Sequence, residues 1–386
     1  MEHDVADTQR TAFWLSRLTL SEFRSYTILR LDVGPEPVVL TGANGAGKTN
    51  LLEAISMLSP GRGLRRAAFD LLPRSGGSGH WAVAVETHGP DGAVDLGTGI
   101  DPVSGQRVAR VNHTASTISD LAIYARMLWL TPALDGLFTG PASDRRRFLD
   151  RFVAVLEPPH AAHLAAFEKL TRQRNKLLEN RYADTRWLSA LEADIASEGT
   201  AVAAARRRAI DILAAASGAE RQGGASAFPH AEITLTGSLE AALADTPLSR
   251  VEAAYADRLS SARPGDAAAG RMQEGPHRSD IAVRHGIKQV SAQLCSTGEQ
   301  KALLIGLILA QARAVAETCG GFVPLLLLDE IAAHLDDVRR GALFDEIVNL
   351  GCQAWMTGTD RALFASIEGR SQCFDVGTGR LVGWGV

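Results

Sequence analysis

The residues best suited to chemistry form a glycine-rich segment near the N-terminus. Residues 42–49 read GANGAGKT, which matches the phosphate-binding pattern G-x-x-x-x-G-K-[ST]. Glycines let the backbone turn successive N–H groups toward phosphate oxygens, Lys48 would neutralise the β- and γ-phosphates, and the Thr49 hydroxyl would ligate Mg²⁺. The segment therefore predicts binding of ATP with Mg²⁺. The residues predicted to contact ATP are Gly42, Asn44, Gly45, Gly47, Lys48, Thr49 and Asn50.

A second chemical segment is an acidic pair that follows an apolar run. Residues 323–328 read VPLLLL and are followed by Asp329 and Glu330. Such a run indicates a buried parallel strand, and carboxylates at the carboxyl end of such a strand lie at the sheet edge where ligands bind. Asp329 is therefore a candidate Mg²⁺ ligand, and Glu330 a candidate base that polarises the attacking water. Together with Lys48 they are the predicted catalytic residues.

A short polar segment upstream of this pair has two interpretations. Residues 296–301 read STGEQK, and a serine followed three residues later by glutamate is an ordinary helix N-cap. The same residues resemble the S-x-G-x-[QE] signature of ABC ATPases, in which the serine, the glycine and the helix N-terminus meet a γ-phosphate bound by another subunit. Because that signature belongs shortly before the acidic strand, we predict that Ser296, Gly298 and Glu299 act in trans. Asp336 then occupies the position of the D-loop aspartate.

The elements around the phosphate-binding segment follow from hydrophobic periodicity. Residues 15–40 alternate and then become continuously apolar, which predicts two half-exposed strands and a buried one. Residues 82–111 repeat the short-strand pattern, with turn signals at residues 90–92 and 101–105. A small antiparallel meander is the predicted form.

The middle of the chain has a helical pattern. From residue 144 to about residue 218, apolar residues recur three and four apart, which predicts helices broken at residues 158–159 and near residue 218. Residues 260–276 lack periodicity and are predicted to form a loop. Strand-like residues 281–283 and a long amphipathic helix from about residue 299 follow it.

Composition limits the function classes. No apolar run reaches the roughly 18 residues of a membrane span, and the polar start is typical of neither a signal peptide nor a transit peptide, so we expect a cytoplasmic protein without membrane contact. The formal net charge of −4 does not indicate a nucleic-acid binder, so any DNA contact needs a local basic patch. The candidate DNA contacts are Arg62, Arg65, Arg66, Arg145, Arg146 and Arg147.

Several longer segments carry a family resemblance. They are FRSY at residues 23–26, TNLLEAI at 49–55, GRGLR at 61–65, RRRFLD at 145–150 and GPHRSD at 275–280. Together they resemble the RecF family of bacterial gap-repair and recombination mediators over nearly the whole chain. The resemblance implies an α/β fold, namely a Rad50-like ABC-type P-loop ATPase head with an antiparallel β subdomain and an inserted α-helical lobe. It divides the chain into an N-terminal part of the head at residues 1–142, the lobe at 143–274 and a C-terminal part of the head at 275–386.

The resemblance also implies partners and a reaction cycle. ATP would drive homodimers on DNA, and slow, DNA-stimulated ATP hydrolysis would act as a switch. Binding would be directed to the DNA backbone at junctions of single-strand gaps with duplex. With RecO and RecR, the protein would load RecA during repair of DNA damage, replication and the SOS response.

Four positions need separate attention. Gly63 stands where the family usually has serine, Ala133 where an acidic residue is common, and Ser279 where aspartate is usual. These departures are peripheral to the phosphate segment and bear on partner or DNA contacts. The switch histidine of transporter ATPases is absent near Thr357, which is a candidate sensor of the γ-phosphate.

Three alternative functions have separate requirements. The ATPase subunit of a transporter would need the switch histidine and a membrane-domain partner. A head of the SMC or Rad50 kind would need hundreds of residues of heptad repeat between its two halves, and a nuclease of the overcoming-lysogenisation type would need an acidic metal-binding domain beyond the ATPase. The sequence has no such heptad run and no switch histidine.

Overall fold

The protein forms two compact units. The computed structural model describes residues 13–89, 92–179, 184–223, 227–377 and 379–384 of the chain. Within these ranges the first unit contains the residues up to Asp135, residues 219–229 and the residues from Ser296 onward, and the second contains residues 136–218 and 230–295. The second unit therefore extends beyond the lobe predicted at residues 143–274, and the family domain limits stay a prediction.

The described strands and helices follow one another in a mixed order along the chain. The strands are β1 (Trp14–Phe23), β2 (Tyr26–Asp32), β3 (Val38–Thr41), β4 (Ala82–Gly89), β5 (Gly92–Ile100), β6 (Arg107–Val111), β7 (Thr114–Ser116), β8 (Met127–Leu130), β9 (Ala231–Thr236), β10 (Asp280–His285), β11 (Val290–Ser291), β12 (Leu325–Leu328), β13 (Ala354–Gly358), β14 (Gln372–Gly377) and β15 (Arg380–Gly383). The helices are α1 (Lys48–Ser56), α2 (Ile118–Tyr124), α3 (Ala142–Leu156), α4 (His160–Leu178), α5 (Thr185–Gly223), α6 (Ser238–Ala242), α7 (Leu248–Ala269), α8 (Thr297–Thr318) and α9 (Asp337–Leu350).

A mainly parallel sheet forms the centre of the first unit. Its strand order is β15-β14-β3-β13-β12-β8, and every neighbouring pair is parallel except β14 with β15. All four residues of β3 and all four of β12 are buried, as expected for parallel strands covered on both faces. The carboxyl ends of β3 and β12 therefore lie at one edge of the sheet, and the phosphate-binding segment and the acidic pair start there.

The first unit also contains an antiparallel sheet of order β2-β1-β4-β5-β6-β7. On β1, Leu18 and Leu20 are fully buried and the residues between them and after them are more exposed. This alternation follows from one sheet face packing on the core while the other meets solvent. The half-exposed strands and the meander predicted from the sequence are confirmed; residues 90 and 91 of one predicted turn lie outside the described residues.

Helices dominate the second unit. Helices α4, α5 and α7 share an apolar core that includes Phe167, Ile195 and Tyr255. The fully buried Arg174 guanidinium donates to Glu192 at 2.9 Å and to Asp266 at 2.7 Å, so it bridges all three helices. A small sheet of order β11-β10-β9 completes the unit. None of the described helices combines the length and apolarity that crossing a bilayer requires.

Of the three predicted interruptions, the loop at residues 260–276 is wrong up to Ala269, the break near residue 218 is wrong, and the break at residues 158–159 is confirmed. Residues 260–276 were expected to form a loop, but α7 continues through Pro264 to Ala269. The buried Asp266 accepts a hydrogen bond from Arg174 on α4, so a contact with a distant residue stabilises a segment without apolar periodicity. Helix α5 likewise continues past Gly218, because one glycine costs a long helix only about 1 kcal/mol relative to alanine. The break at residues 158–159 is present, between α3 and α4.

The unusual Ser279 has a local explanation. It is buried, and its hydroxyl donates to Glu240 Oε1 at 2.5 Å. The other carboxylate oxygen of Glu240 is buried without a hydrogen-bond partner among the described residues. An aspartate at position 279 would therefore place two carboxylates in one buried site, which is unfavourable when both are charged.

We predict that Ser279→Asp lowers the free energy of unfolding by about 3 kcal/mol, because the Arg206 guanidinium, 3.7 Å from Glu240 Oε1, is already paired with Asp150 and does not neutralise a further buried carboxylate. Adding Glu240→Gln should recover most of this loss, because one of the two carboxylates is removed. Urea unfolding at neutral pH measures both effects. Equal stability of wild type and Ser279→Asp would contradict the explanation.

Candidate nucleotide-binding site

The phosphate-binding loop is closely packed against two neighbouring elements. Gly42 has φ 141° and a Cβ there would lie 2.4 Å from the Val376 carbonyl oxygen of β14. Gly47 has φ 112° and a Cβ there would lie 2.8 Å from both Ser25 Oγ and Tyr26 Oη. Any side chain at either position would meet these atoms, so the sequence requires glycine at both ends of the loop.

Lys48 is the first residue of α1 and extends back along the loop. Its buried side chain places Nζ 2.6 Å from the Gly42 carbonyl oxygen and 2.9 Å from that of Ala43. Burial lowers the pKa of Lys48, whereas the negative charges of Glu330 and Asp329 act to raise it. The ammonium group is thus held at the loop, close enough to the acidic pair to be attracted by both carboxylates.

One carboxylate oxygen of Asp329, which follows β12, is hydrogen-bonded to both α1 and β13. Thr49 Oγ1 on α1 and Thr357 Oγ1 on β13 each donate to Asp329 Oδ1 at 2.8 Å. The backbone N–H of Glu330 in turn donates to Thr357 Oγ1 at 2.9 Å. Residues that are hundreds of positions apart in sequence therefore meet in one hydrogen-bonded group, as the two chemical motifs predict.

Thr357 has a different role from the one expected. It was a candidate sensor of the γ-phosphate, but it is fully buried and its hydroxyl is used by Asp329 and Glu330. Its contacts make it a positioning residue for the acidic pair. Sequence reasoning missed this role because nothing local to residue 357 shows which strand lies beside it.

Glu330 adopts an unusual backbone conformation. Its φ of 53° lies in the left-handed region, which non-glycine residues rarely occupy and which costs about 1–3 kcal/mol. The hydrogen bond from its N–H to Thr357 helps to hold this conformation. Such strain clusters at functional sites, so the geometry supports a chemical role for the partly exposed Glu330 side chain.

The residues at this edge fit a magnesium ion. Mg²⁺ in proteins prefers oxygen ligands and is usually bound by one or two carboxylates together with substrate phosphates. The Thr49 hydroxyl and the Asp329 carboxylate lie 2.8 Å apart and supply such oxygens. Within the described ranges no group of three or more His, Cys, Asp or Glu side chains could hold a metal. A magnesium ion here would therefore depend on phosphate oxygens as further ligands.

The signature segment forms a helix cap and is also exposed. Ser296 caps α8: its Oγ accepts from the Glu299 N–H at 3.4 Å, and its own N–H donates to Glu299 Oε2 at 2.9 Å. A Cβ at Gly298 would meet nothing within 4 Å in the described part of the chain, so no contact there requires glycine in the first turn. Glycine there costs helix stability and leaves room for close approach of another molecule. The helix-cap interpretation is confirmed, and the role in trans stays a prediction.

The D-loop residue and Asn50 have partners of their own. Asp336 is the exposed N-cap of α9 and accepts from the Arg339 N–H at 2.8 Å. Asn50, a predicted ATP contact, donates to Ser25 Oγ at 3.0 Å and accepts from Arg65 Nη1 at 3.1 Å. Asn50 therefore joins α1 to the β1–β2 turn and to the segment that follows α1. Asn44 and Gly45 are exposed at the tip of the loop.

Sequence reasoning also missed a buried ion pair beside the site. Glu53 on α1 is fully buried and accepts from two nitrogens of Arg24, at 2.9 and 2.8 Å. This pair fastens α1 to the β1–β2 turn. Its two members lie in the FRSY and TNLLEAI segments, which carry the family resemblance. That resemblance drew attention to both residues, but it did not show that they pair with each other.

The two predicted arginine clusters differ in the structure. Arg145 forms a bidentate ion pair with Asp280 at 2.8 and 2.7 Å, and Arg146 donates to the Ser279 carbonyl at 2.8 Å. Arg147, at the same helix end, forms an ion pair with Asp144. Arg145 is buried and paired within its own unit, so we remove it from the candidate DNA surface, whereas Arg146 and the exposed Arg147 stay predictions.

The other cluster lies on the surface of the first unit. Arg62, Arg65 and Arg66 are exposed in the segment that follows α1, and Arg65 Nη1 lies 3.6 Å from Oε2 of the buried Glu53. The unusual Gly63 within it has φ 66°, and a Cβ there would lie 2.7 Å from Ser56 Oγ and from Met57 Sδ. The close packing explains glycine at this position. Ala133, a further departure, is exposed after β8 and the structure gives no explanation for it.

Comparison with known sequences identifies one family. The family model described as RecF/RecN/SMC N terminal domain matches residues 14–377. A DNA replication and repair protein RecF of Mesorhizobium japonicum is 50% identical over 368 residues, which cover 95% of this chain and 96% of that protein. The protein of the same name from Rhizobium meliloti is 49% identical and covers 96% of this chain and 99% of its own length.

Solved structures share the fold. A structure of the recombination mediator protein RecF-ATPrS in the RecFOR pathway aligns with a TM-score of 0.84 at 22% identity, over 97% of this chain and 99% of that chain. An Smc head domain with an extended coiled coil from Pyrococcus furiosus aligns with a TM-score of 0.53 at 17% identity, over 96% of each chain. Together with the family match, these structures confirm the predicted ABC-type ATPase head.

We predict that Thr357→Val lowers the turnover number for ATP about tenfold or more, because residues that orient a metal ligand typically contribute 10–100-fold. The KM for ATP should change little, since Thr357 does not line the phosphate loop. Thr357→Ser, which keeps the hydroxyl, should restore most of the activity. Steady-state kinetics test this, with the exposed Thr359→Val as a matched control; a normal turnover number in Thr357→Val would contradict the positioning role.

Proposed function

The chain belongs to the RecF family, and on that premise we propose that it is a DNA-binding ATPase of recombinational gap repair whose ATP cycle acts as a switch. The observation that carries the ATPase part is the shared hydrogen bonding of Thr49 and Thr357 to Asp329 Oδ1. It joins the phosphate loop to the acidic pair, as ATP hydrolysis requires.

Each residue at the sheet edge has a defined role in this proposal. The loop N–H groups and Lys48 bind the phosphates, and Thr49 and Asp329 would hold Mg²⁺. The ion, when bound, would neutralise charge that develops on the phosphate oxygens. Glu330, directed by its backbone conformation and its N–H bond to Thr357, accepts a proton from the attacking water.

Ser296 and Gly298 suggest that a second copy of the chain completes the site. Both are exposed at the N-terminus of α8, whose partial positive charge favours an anion. We infer that they contact the γ-phosphate of ATP held by the loop of the other copy, with Asp336 near the same boundary. ATP would then join two protomers, and hydrolysis would release them.

The DNA partner is inferred from family membership and from the exposed arginines. Relatives about 50% identical are DNA replication and repair proteins, and the solved structure with ATPrS is a recombination mediator of the RecFOR pathway. We propose that this chain binds the DNA backbone at gap junctions, with Arg62, Arg65 and Arg66 as contacts. Cooperation with RecO and RecR in loading RecA, in the cytoplasm, belongs to the same proposal.

Two substitutions at position 296 test the role in trans without removing the helix cap, because aspartate and asparagine cap helices as well as serine does. We expect Ser296→Asp to fold normally and to bind ATP but to remain monomeric, since its carboxylate repels the γ-phosphate. Ser296→Asn should cap equally well and keep ATP-dependent dimerisation. Light scattering with and without ATP measures the outcome, and equal dimerisation of the two variants would refute the composite site.

The gap-repair proposal predicts a faster ATPase in the presence of gapped duplex DNA at low salt. Lys48→Arg, which should impair turnover more than nucleotide binding, serves as the control for contaminating ATPases. The measurement is the initial rate of phosphate release with gapped DNA, with intact duplex and without DNA. No stimulation by gapped DNA at low salt would count against the repair function and leave a DNA-independent ATPase.

A further inference from the structure

Arg107 is a half-buried cation that the ATPase chemistry does not use. It is the first residue of β6 in the antiparallel sheet, and its guanidinium lies 5.3 Å from the ring centre of Phe69. Burial lowers its pKa to about 10. Among the described residues no carboxylate forms an ion pair with it, so its charge must be compensated by other groups.

Carbonyl oxygens provide that compensation. Arg107 Nη1 donates to the Gly61 carbonyl at 2.6 Å, and Nη2 contacts the Met57 carbonyl and lies 3.4 Å from that of Ser59. Its Nε donates to Thr98 Oγ1 on β5 at 3.2 Å, which fixes the guanidinium plane on the sheet. The Met57 and Ser59 carbonyls follow directly after α1, where the helix carries partial negative charge. One guanidinium therefore fastens both the end of α1 and the start of the next segment.

That next segment, residues 61–66, is here called the arginine loop. The Leu64 N–H donates to Ser56 Oγ at 2.7 Å, and Arg65 reaches Asn50 Oδ1 at 3.1 Å. Arg107 also binds the Gly61 carbonyl. Hydrogen bonds from neighbouring residues therefore hold the loop at Gly61, Leu64 and Arg65. Its three arginine side chains remain exposed on the outside.

We propose that Arg107 is a positioning residue that holds the arginine loop in the conformation in which Arg62, Arg65 and Arg66 bind the phosphates of DNA. This inference rests on the DNA-binding function proposed above. A loop that is already ordered loses less conformational entropy on binding, so holding it beforehand raises the affinity.

The test is the affinity of the full chain with ATP for gapped DNA over a range of salt concentrations. Arg107→Met should bind about tenfold more weakly at 0.1 M salt, the loss expected from one phosphate contact, with a shallower salt dependence and unchanged affinity for ATP. The matched control is Arg110→Met, which removes the same charge from an exposed position on the same strand and should bind as wild type. Equal DNA affinity of Arg107→Met and Arg110→Met would overturn the proposal.

A triple variant, R62A/R65A/R66A, separates this proposal from the DNA surface itself. Adding Arg107→Met to it should cause no further loss, because nothing remains for Arg107 to position; a further tenfold loss would overturn the proposal. If the triple variant itself binds DNA as wild type does, the proposed DNA surface fails instead. Should Arg107→Met not fold, Arg107→Lys permits the same comparison, because lysine keeps the charge but lacks the planar fork that reaches Gly61 and Thr98 together.

Discussion

The shared hydrogen bonds to Asp329 Oδ1 are the interaction on which the arrangement of the site depends. Thr49 donates to it from the helix after β3, and Thr357 donates to it from β13. Because Thr357 also accepts from the Glu330 N–H, the positions of Asp329, the proposed metal ligand, and Glu330, the proposed base, are linked through one hydroxyl. The order β3-β13-β12 makes this possible, since β13 lies between the two strands that carry the motifs. A different strand order would leave the same residues apart.

Steric packing imposes a second constraint, at the phosphate loop. The loop passes so close to Val376 on β14 and to Ser25 and Tyr26 in the β1–β2 turn that only glycine fits at positions 42 and 47. The Arg24–Glu53 ion pair fastens α1 to the same turn. The antiparallel sheet therefore helps to position α1, the helix whose N-terminus would bind phosphate.

Local patterns in the sequence predicted the strands that carry the chemistry, and they failed where structure depends on distant partners. The buried runs of β3 and β12 and the glycine loop are recognisable because burial on both faces and phosphate binding each restrict the residue types. The helix through Pro264 was missed because its stabilising contact, from Arg174 to Asp266, joins residues 92 positions apart. The contacts of Thr357 were missed for the same reason, since its partners Glu330 and Asp329 lie 27 and 28 positions away, just after β12.

The arginine clusters illustrate why composition alone could not identify a DNA surface. Consecutive arginines occur both at the start of α3 and after α1, yet Arg145 faces Asp280, which neutralises it inside its own unit. Arg62 and Arg66 are exposed and form no ion pair among the described residues, so their charge is available to an external anion. In a chain of net charge −4, long-range attraction does not favour DNA, and binding must depend on such locally unneutralised charge. A surface of this kind requires its loop to be held in place, because the like charges of Arg62 and Arg66 repel each other and Glu53 pairs with Arg65 alone of the three.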